Sequence, residues 1–277
     1  MIKSFSKINL SLRVLGIRKD GLHNIQSNNV VLDVHDKIKI SKSKINKDEI
    51  IFKGESSKYI NKKKNSITET LKILREIKLL KSNYKIIINK KIPVFSGLGG
   101  GTSNSAFLLK FFLKNTINES ILNKVEKKIG SDLRIFLKKQ SFQKNLFKLY
   151  KYKKNFKLYL VLASPNVKCS TKNIYSKVKK FSSPSKTNFS IIKEKSKFIE
   201  KISIEKNDLE RIAIKKFPII KKVLDFIKIQ NGCYFSRMTG SGSVCYGLFR
   251  NHKTAKEGLI GVKKRFPNYW CVISRTI

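Results

Sequence analysis

The sequence predicts a mixed α+β fold of two sheet-and-helix layers, and three patterns lead there. Apolar and polar residues alternate in Ile8–Val14 and Asp36–Ile40, the mark of half-buried strands. Residues 84–113 run in the order strand, glycine cluster, apolar helix. A second strand-bearing region resumes at Leu158–Ala163 and closes with strands at 244–249 and 269–277, with helical periodicity between them.

Taken in order, the two opening strands flank a turn at Lys19-Asp20-Gly21. Asn65-Ser66 starts a helix, because Ile67, Leu71, Ile73, Leu74 and Ile77 follow at roughly helical spacing. Tyr84–Asn89 is the next strand, and the glycine cluster 97–101 leads into the apolar run Ser105–Leu113, read as a buried helix. Residues 138–156 carry Lys, Phe, Tyr and Gln with neither glycine nor proline, and the domain junction is expected there, giving domains 1–152 and 153–277. In the second half, a Ser/Lys-rich loop spans 181–188 and one helical stretch spans 212–229.

A chain of 277 residues, 40% of them hydrophobic, buries a sizeable core as one domain or two closely packed ones. Its formal net charge of +43 suits a nucleic-acid binder. The basic residues, however, are mostly Lys, are spread along the whole length and accompany an excess of Ile, Asn, Phe and Tyr, so a solvated lysine surface explains them more simply. The four cysteines form no C-x-x-C pair, and no metal site is expected from them. Residues 1–6 run straight into the alternating segment Lys7–Leu12, and no uncharged apolar stretch reaches spanning length. A cytoplasmic protein with reduced thiols is the expectation.

The glycine cluster carries the most chemistry. Small residues ahead of a helix let the backbone approach a polyphosphate, whose charge meets main-chain N–H groups and the positive end of the helix dipole. Spacing excludes two familiar versions: no Lys follows Gly101 as a Walker A loop requires, and Thr102 stands where a dinucleotide fingerprint needs another glycine. The remaining pattern, Pro93-Val94-Phe95-Ser96-Gly97-Leu98-Gly99-Gly100-Gly101-Thr102-Ser103, resembles the phosphate loop of the GHMP kinases. Three other blocks fall in that family's order: Ser6-Lys7-Ile8-Asn9-Leu10, Arg18-Lys19-Asp20-Gly21-Leu22-His23, and Ser236-Arg237-Met238-Thr239-Gly240-Ser241-Gly242.

The resemblance implies a two-domain GHMP kinase fold, with an N-terminal domain like ribosomal protein S5 and a ferredoxin-like C-terminal domain. It implies ATP and Mg²⁺ as cofactors, and residues 93–103 together with Asn65 on the nucleotide side. Asp132 is the only carboxylate between Glu126 and Glu194. By itself it would be a helix-start or surface ion-pair residue; the resemblance makes it the catalytic base, with Lys7 as its partner. Asn9, His23, Tyr175, Thr239 and Gly240 are implied on the substrate side, Tyr175 as a stacking ring, although a core tyrosine reads almost as well.

Within the family the triple glycine and Thr-Ser-Asn are most similar to the branch that phosphorylates the 2-hydroxyl of a cytidine-diphosphate-linked methylerythritol. The expected partner is thus a small molecule, with no membrane and no nucleic acid, and the chain a monomer or homodimer. Another GHMP kinase, or an RNA-binding protein on the same fold, are the alternatives. Four departures bear on the choice: Leu22 for a tyrosine, Arg134 for a proline, a lysine-bearing segment at 138–151 for a glycine-containing one, and Asn166 for a glycine.

Overall fold

A computed structural model describes residues 1–114 and 116–277. The chain groups into two compact units, one formed by Met1–Lys7, Val34–Val94 and Gly99–Leu137, the other by Ile8–Asp33, Phe95–Leu98 and Lys138–Ile277. Strands β1 (Ile2–Ile17) and β2 (His23–Lys42) are 16 and 20 residues long and contribute to both units. The boundary expected at 152/153 follows chain order; grouping by contact instead divides these two strands and the glycine loop.

In the first unit, β3 (Glu49–Lys53) lies parallel to β4 (Tyr84–Asn89), and β4 pairs antiparallel with β2, Ile38 opposite Ile88. Helices α1 (Ser66–Glu76), α2 (Gly100–Leu113) and α3 (Glu119–Ile129) are packed with this sheet around Ile38, Leu71, Ile86, Leu108, Leu109 and Val125. The periodicity that predicts α1 places Ile67, Leu71 and Leu74 on its buried stripe. A 3₁₀ segment, Ser131–Leu137, follows α3.

In the second unit, the stretch expected to carry the junction forms a hairpin. β5 (Gln140–Gln143) pairs with β2 in the register Ser27 opposite Gln143, and with β6 (Leu149–Lys151). The turn needs no glycine, because Asn145 Oδ1 accepts the N–H groups of Phe147 and Lys148, at 3.1 and 2.8 Å, and so does a glycine's work with a side chain. A four-stranded antiparallel sheet has the order β10–β7–β9–β8, from β7 (Tyr159–Ser164), β8 (Cys233–Met238), β9 (Cys245–Phe249) and β10 (Trp270–Arg275).

Helices α4 (Thr171–Tyr175), α5 (Lys195–Ser203), α6 (Glu210–Lys216), α7 (Ile219–Lys228) and α8 (His252–Arg265) complete this unit. The helical periodicity over 212–229 is carried by two helices. Pro218 supplies no N–H and drives Phe217 out of helical geometry, so α6 ends before it and α7 begins after it.

Candidate active site

In the first unit the Lys7 ammonium lies 3.0 Å from Asp132 Oδ2. Lys7 is 3% exposed and Asp132 32%, so the pair has a sealed cationic side and an open anionic one. The 3₁₀ segment presents Asp132, and the Lys110 ammonium holds that segment to α2 by donating to the Phe136 carbonyl at 2.7 Å. Burial lowers the Lys110 pKa.

The glycine loop is fitted to its surroundings. A Cβ at Gly99 would lie 2.9 Å from the Phe136 ring and 3.2 Å from Lys7 Cε, so only glycine lets the loop rest on the stem of that lysine. At Gly100 it would lie 3.1 Å from Ile92 and 3.3 Å from Lys90 Nζ. Gly101 is exposed. Among the described residues no side chain caps α2 at Gly99, which leaves the first-turn N–H groups of a 14-residue helix for an anion.

Beneath the loop runs a buried network. Asp36 Oδ1 accepts the N–H groups of Lys91 and Ile92 at 2.8 and 2.9 Å, while Asp36 Oδ2 receives the Lys90 ammonium, which also donates to Asn104 Oδ1 at 3.1 Å. Asn104 donates to Ser4 Oγ at 2.8 Å, and Ser4 and Ser103 share a 2.7 Å hydroxyl contact. The Ser103 hydroxyl donates to the Phe5 carbonyl at 2.5 Å, so its proton is used within the fold. Asn65 is likewise committed: its Oδ1 accepts the N–H groups of Ile67 and Thr68, its amide donates to the carbonyls of Asn61 and Lys62, and it thereby caps α1.

In the second unit, Asn9 donates to Ser27 Oγ at 2.9 Å and to Asn29 Oδ1 at 2.8 Å, and its N–H meets Thr239 Oγ1 at 2.9 Å. A Cβ at Gly240 would lie 3.3 Å from Asn9 Oδ1. Asn207 pins the Thr239–Gly240 turn by donating to the carbonyls of Met238 and Gly240, at 2.7 and 2.8 Å. Gly97, at φ 76°, lies against the same turn, where a Cβ would be 2.4 Å from the Thr239 carbonyl oxygen. Ser96 accepts the Val244 N–H through its carbonyl at 3.2 Å and the Leu98 N–H through its hydroxyl at 3.3 Å. Leu98 is buried; Pro93 and Val94 are half-buried; Phe95 is half-exposed at φ 55°.

His23 and Tyr175 meet, their ring centroids 4.9 Å apart at 47°. His23 Nε2 is covered and has no hydrogen-bond partner among the described residues. Burial lowers its pKa, which favours the neutral ring.

Three of the departures acquire a structural account. Arg134 is tied to α3, donating to Glu126 at 2.9 Å, Glu119 at 2.6 Å and Asn123 at 2.8 Å, and so anchors the segment carrying Asp132. Burial pushes the Glu126 carboxyl up in pKa, and Arg134 pulls it back. Asn166 has φ 54°, the left-handed conformation that asparagine tolerates best after glycine, and donates to the Asn268 carbonyl at 2.8 Å. The 138–151 segment is the hairpin described above. Asp36, Lys90, Asn104 and Asn207 were not legible as site residues, since each acts through a partner distant in the chain.

Known proteins bear directly on this geometry. The family description "GHMP kinases N terminal domain" matches residues 65–136, and "GHMP kinases C terminal" matches residues 196–268. The chain is 38% identical over 284 residues to a 4-diphosphocytidyl-2-C-methyl-D-erythritol kinase of Pelagibacter ubique (strain HTCC1062), covering all of this chain and 98% of that one. The chain belongs to the GHMP kinases. A second relative among them, of the same name, from Buchnera aphidicola subsp. Schizaphis graminum (strain Sg), is 35% identical over 266 residues, covering 91% of this chain and 85% of its own.

Solved GHMP kinase structures share the fold. A 4-(cytidine 5'-diphospho)-2C-methyl-D-erythritol kinase superposes with TM-score 0.77 at 20% identity, covering 100% of this chain and 99% of that one. A homoserine kinase from Cytophaga hutchinsonii follows with TM-score 0.70 at 15% identity, covering 99% and 94%. The expected GHMP architecture thus holds. All four cysteines are free, and among the described residues no helix is long and apolar enough to cross a membrane.

Proposed function

We propose that the chain transfers the γ-phosphoryl group of ATP to the 2-hydroxyl of 4-diphosphocytidyl-2-C-methyl-D-erythritol, a step in making isoprenoid precursors. The kinase activity rests on relatives that bear that name and match 91–100% of the chain. One observation carries the assignment of roles: the 3.0 Å Lys7–Asp132 pair, whose lysine stem is packed on Gly99 at the mouth of α2.

The substrate hydroxyl gives its proton to Asp132 as its oxygen attacks the γ-phosphorus, and the bond from that phosphorus to the β–γ bridging oxygen breaks to release ADP. Lys7 offsets charge on the transferring group, and the N–H groups at the start of α2 hold the triphosphate within the loop 93–103. Ser103 ties the start of α2 to Phe5 and Ser4 through its hydroxyl, and Asn65, which caps α1, stands on the nucleotide side.

Among the described residues no cluster of His, Cys, Asp or Glu could hold a metal ion. Mg²⁺ would accompany the triphosphate as its counterion, held mainly by the phosphate oxygens. On the acceptor side Asn9, Thr239 and Gly240 take the polyol and phosphate, and His23 with Tyr175 takes the pyrimidine. His23 Nε2 is a covered polar atom that a base edge would satisfy once the Tyr175 ring moves to its face. The boundary 152/153 stays as a chain-order division, supported by family matches that fall on either side of it. The working protein is a cytoplasmic monomer or homodimer, which light scattering would distinguish.

The test is ADP release with ATP, Mg²⁺ and the cytidine-linked substrate, with mevalonate and homoserine as rival acceptors. Turnover is expected with the first acceptor alone, and Asp132→Asn should lower kcat about 10²–10⁴-fold. Turnover with a rival instead would reassign the substrate.

A further inference from the structure

Where β2 runs between β1 and β5 in the second unit, the buried side chains are polar, although a sheet interior is ordinarily apolar. Ser27 stands opposite Gln143 and Asn29 opposite Ser141, so these four share one face of the sheet, and all four are buried. Asn9, from β1, is buried with them. Its amide nitrogen gives one hydrogen to Ser27 Oγ at 2.9 Å and the other to Asn29 Oδ1 at 2.8 Å.

The direction of these bonds is set by their neighbours. Ser27 has a single proton, which goes to the Ser11 carbonyl at 2.7 Å or to Asn29 Oδ1 at 2.9 Å, so its oxygen is left to accept from Asn9. Two acceptors thus face the Asn9 amide, and turning that amide over would set its own oxygen against them. With both hydrogens held by β2, the Asn9 carbonyl oxygen is directed to the Thr239–Gly240 turn, where a Cβ on Gly240 would lie 3.3 Å from it. Asn29 is a poor residue for stability alone: its Oδ1 accepts from Asn9 and Ser27, while its own Nδ2 is buried with no hydrogen-bond partner among the described residues.

We infer that Asn29 is a positioning residue for the acceptor side: by accepting from Asn9 it sets the polarity of that amide, so that Asn9 meets the ligand with its carbonyl oxygen. A carbonyl oxygen takes a hydroxyl donor and repels a phosphate oxygen, so Asn9 reads the polyol rather than the diphosphate. This rests on the reading of Asn9 as an acceptor-side contact given above.

The test uses the full chain, with steady-state kinetics and the ¹⁵N signal of the Asn9 side-chain amide. Asn29→Leu should move that signal and lower kcat/KM for the cytidine-linked substrate about tenfold, the worth of one hydrogen bond. KM for ATP should stay as in wild type. Tm should change little, because leucine removes the stranded N–H groups of Asn29 while leaving one of Asn9 without its acceptor. Asn29→Asp, which keeps an oxygen at the same place, should leave the Asn9 signal at its wild-type position. An Asn9 signal or a kcat/KM unmoved by Asn29→Leu would overturn the inference, and so would a rise in KM for ATP that matches the loss, since Asn29 would then be structural support alone. Wild-type turnover of mevalonate or homoserine in place of the cytidine-linked substrate would overturn the substrate reading, and the Asn9 signal would still decide whether Asn29 holds the amide.

Discussion

The phosphate end of the first unit and the base end of the second are built on opposite principles. Around the glycine loop, charge is buried and answered inside the chain: Lys90 by Asp36 and Asn104, Asp36 by two backbone N–H groups, Ser103 by Phe5 and Ser4. Covered polar atoms without a hydrogen-bond partner among the described residues lie chiefly in the second unit, at His23 Nε2, Asn29 Nδ2, Ser141 Oγ and Gln143 Oε1, with Ser6 Oγ in the first. A loop that must meet a transition state gains from being rigid before the ligand arrives, because the cost of ordering is then met on folding. A recognition site keeps polar groups whose hydrogen bonds a ligand completes.

This contrast breaks most visibly at the buried pair. Lys90→Met leaves Asp36 charged and buried, so thermal or urea unfolding should register a loss of about 3–5 kcal/mol. The double variant Lys90→Met, Asp36→Leu should recover part of that stability but not the ATP affinity, because the N–H groups of Lys91 and Ile92 would lose their acceptor. A double variant that binds ATP as wild type does would show the network to be structural support only.

A smaller effect is expected where the segment bearing Asp132 meets α3. Arg134→Ala removes three side-chain partners and leaves Glu126 underserved, for a loss of about 1–3 kcal/mol. Tm should fall accordingly, with kcat changing far less than in Asp132→Asn. A kcat loss as deep as that of Asp132→Asn at unchanged Tm would assign Arg134 to the chemistry instead.

The smallest effect is a pH dependence at the base end. Burial holds the His23 pKa below its unfolded value of about 6.5, so the stability it contributes is fully present above that pH. It declines as pH falls toward the folded pKa, since the unfolded chain takes up the proton first. KM for the cytidine-linked substrate should rise over the same acid range in wild type and stay flat in His23→Gln. A parallel rise in both would place the titration on another group.

The glycine loop was legible beforehand because it is written in consecutive residues. Gly97–Gly101 ahead of an apolar helix is a local pattern with direct chemical meaning, whereas Asp132 by itself reads as a helix-start or surface ion-pair residue. The Lys7–Asp132 pairing required the family resemblance, since 125 positions separate its members. At the base end legibility failed where side chains replace glycine. The stretch 138–156 looked like a junction for want of Gly or Pro, yet Asn145 turns it through its side chain. The helical stretch 212–229 was read through Pro218, whose missing N–H divides it.

By itself, then, the sequence determined the alternating strands, the helix led by Asn65 and the glycine loop, because periodicity, capping and loop chemistry act over a few neighbouring residues, while its motifs pointed to the family by resemblance. Only the tertiary structure decided that Lys90 lies under Gly100, that Asn207 pins the Thr239–Gly240 turn, that Arg134 is an anchor to α3, and that Asn29 accepts from the Asn9 amide. Each of these depends on burial or on a partner far along the chain, and neither the desolvation of a charge nor the room for a Cβ is written in local order.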